Sequence, residues 1–102
     1  MDEILTELQK LGDFAAWAWS RSPASEYGVV SVDGQNALRA GDRLGESVLE
    51  GTIDWYTRNP ASAMPGSIEA TLDSLGASWY QYSVQYESDT GLIHYEWVWQ
   101  YG

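Results

Sequence analysis

The residues of this chain best suited to chemistry are one imidazole, a series of carboxylates and an excess of indoles. His94 is the sole histidine, and Glu96 follows two residues later, on the same side of any strand. A His–Glu pair can hold and pass a proton. No serine or second histidine is spaced to complete a nucleophilic site, so His94 reads as a solvated strand residue and no catalytic residue is assigned. Asp42, Glu46, Glu50 and Asp54 recur every four residues. Four residues is close to one helical turn and is also an even number, so the four share a face on either a helix or a strand. On a helix they rise about 6 Å apart, comparable with phosphates along a nucleic-acid strand. On a strand the step is about 13 Å, and the series becomes a diffuse negative stripe. Trp55, Trp79 and Trp97 are the candidate anchors beside it, because Trp often dominates binding at interfaces.

Other constellations exclude more than they assign. Asp89-Thr90-Gly91 resembles the catalytic tripeptide of aspartic proteases. In that family an apolar strand leads into the tripeptide and much of the fold follows it. Here Glu87-Ser88 precede it and eleven residues remain, so a turn is the expectation. There is no cysteine, no His-x-x-x-His and no Asp series ending in a bidentate Glu, so no metal site is expected. Gly41, Gly45 and Gly51 lack the Lys-Ser/Thr ending of a phosphate loop, and no cofactor is expected.

Charge is the strongest global signal. Fifteen acids oppose five bases over 102 residues, for a formal net charge of −10. Affinity for phosphates rests on Lys and Arg, so nucleic acid and anionic membranes are excluded as direct partners. A basic protein partner is favoured. The N-terminus MDEIL is acidic where a secretory signal is basic, and the longest apolar run, Phe14 to Trp19, is too short to span a bilayer. A cytoplasmic protein is expected.

The elements that must position these residues follow from periodicity. Over 77–101, Tyr80, Tyr82, Val84 and Tyr86 alternate with polar residues, as do Ile93, Tyr95, Trp97, Trp99 and Tyr101 after a break at Ser88–Gly91. That predicts an aromatic hairpin paired Tyr86–Ile93, Val84–Tyr95, Tyr82–Trp97 and Tyr80–Trp99, keeping large side chains on one face. Ile4, Leu8, Leu11, Ala15 and Ala18 predict a helix over Asp2–Ser20, its Phe14, Trp17 and Trp19 packing on the hairpin. Tyr27–Val32 reads as a strand, with Asp33-Gly34 as a turn toward Leu38–Leu44. Residues 46–58 alternate as a strand, with Leu49, Gly51, Ile53 and Trp55 on one side, although a helical stripe also fits. Ser67 is expected to cap a short helix over 67–75, with Ile68, Leu72 and Leu75 buried and Gly76 as its stop. The sum is a single α+β domain over 1–102, with a small antiparallel sheet of three to four strands covered by two helices.

In size, charge and absence of catalytic machinery the chain resembles small acidic inhibitors and toxin immunity proteins. The resemblance implies no enzyme but an antitoxin, monomeric or homodimeric, that occludes the active site of a basic toxin, nuclease or defence complex. An anti-CRISPR-like nucleic-acid mimic needs the helical reading of 46–58. Six Trp and seven Tyr exceed what a small core hides, so a carbohydrate- or ligand-binding module using exposed rings is the other alternative.

Overall fold

A computed structural model describes residues 2–16, 26–37 and 47–102. In order they form α1 (Asp2–Gln9), β1 (Phe14–Ala16), β2 (Glu26–Ala37), β3 (Ser47–Thr57), α2 (Met64–Ser74), β4 (Ser78–Glu87) and β5 (Leu92–Tyr101). The fold is α+β. Its sheet has five strands in the order β1-β2-β3-β5-β4, rather than the expected three or four. It is mixed, because β1 runs parallel to β2 while the other pairs are antiparallel.

The extra strand comes from the predicted first helix, which stops at Gln9. Ile4 and Leu8 are fully buried as the helical stripe requires, but Leu11 lies in the following turn and is exposed. Phe14, Ala15 and Ala16 then pair with Gly28, Val29 and Val30. The margin of β2 satisfies their backbone groups, and Phe14 stacks on Trp55 with ring centroids 5.0 Å apart. Phe14 thus packs on β3, within the same core cluster as Trp97 and Trp99 of the hairpin. Trp17 and Trp19 lie outside the described residues.

Within 46–58 the described residues form a strand, β3, at Ser47–Thr57. The set Leu49, Gly51, Ile53 and Trp55 turns to the helices, as the alternation predicts. Asp33-Gly34 is not a turn: β2 continues through it to Ala37, with a register shift between Val32 and Gly34. The proposed second arm at Leu38–Leu44 lies outside the described residues. The second helix starts earlier than expected. Its N-cap is Ala63, Pro65 fills the first turn where a missing N–H is harmless, and Ser62 Oγ accepts from the Met64 N–H at 3.2 Å. Ser67 is inside the helix. Gly76 does stop it, at φ +77°, as the Gly76 and Ala77 amides bond back to Asp73 and Leu72.

The aromatic hairpin forms, with Gly91 at φ +72° in its turn. Tyr86 faces Ile93 and Val84 faces Tyr95 as predicted, but Tyr82–Trp97 and Tyr80–Trp99 do not form. A bulge between Gln81 and Ser83 sets Gln81 opposite Trp97, Tyr80 opposite Val98 and Trp79 opposite Trp99. The extra residue rotates Trp79 onto the covered face, where its indole donates to Asp73 of α2 at 2.8 Å. Tyr80 is turned to the opposite face in exchange.

Both helices pack on the same face of the sheet. Ile4, Leu8, Ile68 and Leu72 close over Trp55, Trp97 and Trp99. Carboxylates on the helices accept from the sheet's aromatic donors: Trp97 bonds Glu69 at 2.9 Å and Tyr101 bonds Glu3 at 2.7 Å. Part of the chain's acidity thus serves to satisfy the polar ends of its large rings. The Trp55 and Trp99 indole N–H groups are buried without a hydrogen-bond partner among the described residues.

Candidate functional site

The second face of the sheet has no helix on it among the described residues. Alternation along β3 places Glu50, Thr52, Asp54 and Tyr56 there, and the register with β5 sets them opposite Gln100, Val98, Glu96 and His94. The pairing with β2 adds Tyr27 beside Tyr56 and Ser31 beside Thr52. Glu87 approaches from β4, which pairs Gln85 with His94. The five strands contain no Lys or Arg.

Three rings form a row across three strands. Tyr27 stacks on Tyr56 at 4.8 Å, and Tyr56 on His94 at 4.3 Å with 16° between the planes. The ring stack fixes the plane of the imidazole, and its Nε2–H donates to Asp54 Oδ1 at 2.6 Å. Nδ1 points toward Glu87, 3.9 Å from Oε2. His94 is therefore no solvated strand residue, since only 17% of its side chain is exposed. The hydrogen bond to Asp54 raises its pKa above the ordinary value; burial opposes this, and the charges of Asp54, Glu87 and Glu96 add to it. Tyr56 is pushed up to about 12, first by burial and then by Asp54, Tyr27, Glu87 and Glu96.

Asp54 and Glu96 stand directly opposite each other on neighbouring strands. Like charges in that position repel. With His94 they bring one nitrogen and two carboxylate donors within 4.8 Å of one another. Local spacing gave no hint of this cluster. Spacing groups Asp54 with its acidic stripe and His94, forty residues further on, with Glu96. The signal that joins them is the core face: if Ile53 and Trp55 pair with Trp97 and Tyr95, then Asp54 must meet Glu96 on the reverse side.

The predicted partner-binding residues are divided by the sheet. Glu50 and Asp54 share the open face. Asp42 and Glu46 lie outside the described residues. Trp55 and Trp97 are in the core, 1% and 0% exposed, because their strand positions point to the helices; neither can anchor a partner. Trp79 is half-buried, and it lines a cleft of about 290 Å³ with Glu50, Tyr80, Val98, Trp99, Gln100 and Ser78. Glu50 accepts from Gln100 Nε2 at 2.8 Å in the wall of that cleft. The helical, phosphate-like spacing of acids does not occur at Glu50 and Asp54, since β3 is a strand; a nucleic-acid mimic loses its geometric basis there.

Along β4, an outer strand of the sheet, Tyr80, Tyr82, Val84 and Tyr86 are 57%, 64%, 49% and 68% exposed. Their alternation with polar residues predicts all four on the buried face; in an outer strand they remain exposed. Asp89-Thr90-Gly91 sits in the β4–β5 turn, as its residue types suggested. Among the described residues no helix is long and apolar enough to cross a membrane. No family model and no curated protein matches the chain.

Proposed function

We propose that this protein is a stoichiometric binder and inhibitor of a basic protein, acting in the cytoplasm as an immunity protein does against a toxin or nuclease. The observation that supports this reading is the open sheet face, where Glu50, Asp54, Glu87 and Glu96 stand on strands that contain no Lys or Arg. Negative charge gathered on one rigid surface raises the rate at which a positive partner arrives. Glu50 and Asp54 steer the encounter, and the cleft that Tyr80 and Val98 share with Trp79 offers the apolar contact at the margin of the face.

The test uses the basic product of a neighbouring gene as partner. The association rate should fall steeply between low and physiological salt, and should fall again in an E50Q/D54N/E96Q triple variant with a native circular dichroism spectrum. A rate indifferent to salt and to the three substitutions refutes the reading.

The cleft beside Trp79 and Tyr80 supports a second reading, a module that stacks a sugar or other ring. Quenching of tryptophan fluorescence by a panel of saccharides, abolished by Trp79→Ala, is its signature.

A further inference from the structure

We propose that Asp54, His94 and Glu96, brought together where β3 pairs with β5, form a binding site for a divalent first-row transition ion of the zinc class. The inference does not depend on the partner reading above. Zinc and its neighbours take imidazole nitrogen and carboxylate oxygen together, whereas calcium and magnesium prefer oxygen alone and more of it.

The distances suit the ion. Two ligand atoms on a tetrahedral zinc lie about 3.3 Å apart, from bonds of about 2.0–2.1 Å. The three donors here are within 4.8 Å of one another, and the Nε2–Oδ1 contact of 2.6 Å is now held by a proton. An ion replaces that proton, which leaves to solvent as the contact widens by less than about 1 Å. Donors that stand as far as 4.8 Å apart close by up to about 1.5 Å, a shift of the size that rotation of the carboxylate side chains gives.

Two further features favour a site over a chance cluster. Asp54 and Glu96 are opposed in register on neighbouring strands, so a cation between them lowers their mutual repulsion. The imidazole is also preset. Tyr56 fixes its plane, Nε2 faces Asp54, and Nδ1 faces Glu87 at 3.9 Å. A carboxylate on the far nitrogen is the usual outer partner of a metal-bound histidine. With three protein donors, all half-buried, a fourth position would be left for water.

The test titrates ZnCl₂ into chelator-stripped, tag-free full-length protein by calorimetry and by ¹H–¹⁵N spectra of the imidazole. His94 is the only histidine, so its ring signals report this site without mutation. One equivalent of zinc should bind and shift them. Cobalt should give the intense visible absorption of a four- or five-coordinate ion. His94→Ala and Asp54→Asn should each weaken zinc by at least about tenfold. Glu7→Gln, which removes a charge from the exposed Lys10 pair on α1, should leave affinity unchanged. Unshifted imidazole signals at saturating zinc, or affinity equal in wild type and both ligand variants, overturn the proposal. Should a variant unfold, the wild-type imidazole spectrum decides alone.

Discussion

Gly51→Ala tests the register on which the whole open face depends. Gly51 sits opposite Trp99, with Val32 on its other side. A Cβ added there would lie 2.0 Å from the Ser31 carbonyl oxygen and 2.6 Å from Cζ2 of Trp99. Non-bonded heavy atoms rest near 3.5 Å, so the chain must open by about 1.5 Å on one side. The obstructing groups are a backbone carbonyl and an indole that is 0% exposed, neither of which can swing into solvent. Overpacking of this kind costs about 1–3 kcal/mol, and these neighbours put it at the upper end, near 3 kcal/mol. For a domain of this size that lowers Tm by roughly 12–24 °C, a large part of a total stability of about 5–15 kcal/mol. Calorimetric melting and urea titration would measure it. Gly66→Ala is the matched control. Its Cβ meets nothing within 4 Å, and it lies within α2, so it should stabilise by about 0.4–1 kcal/mol. If Gly51→Ala costs under about 1 kcal/mol, Trp99 does not lie over Gly51. The opposition of Asp54 to Glu96 then loses its support.

Trp97→Phe should cost roughly 2–3 kcal/mol in chemical denaturation, because it removes buried ring volume and the donor that Glu69 accepts from. Tyr86→Ser should change stability by no more than about 0.5 kcal/mol, since that ring is 68% exposed. In metal-chelated protein, His94 holds its proton more tightly when folded than when unfolded, chiefly through Asp54. Its stabilisation is therefore complete below about pH 6.5 and declines as pH rises through the folded-state pKa. Denaturation midpoints across that range should show this limb in wild type, and His94→Asn should remove it.

Periodicity alone was sufficient for several elements. The alternation in 46–58 and 77–101 marks strands whose side chains divide cleanly between two faces, and Gly76 and Gly91 mark turns that need a positive φ. These are local properties, set by sterics within a few residues. Phe14–Ala16 shows the limit of such reasoning. Its residue types fit a helical stripe, but a partner strand twelve or more positions away offers better hydrogen bonding and a ring to stack on.

Sidedness and partnership belong to the tertiary structure. Trp55 and Trp97 are on the alternating pattern as plainly as any exposed residue, and only the position of α1 and α2 decides that their side is the inside. The bulge near Tyr82 arises because Trp79 gains both core contact and a hydrogen bond to Asp73 by turning inward, a gain invisible until α2 is docked. The meeting of Asp54 with His94 and Glu96 has the same origin. Amino-acid order dictates which way each side chain leaves its own strand; which strands lie side by side is fixed by burying the largest rings together, and that choice sets the chemistry of the opposite face.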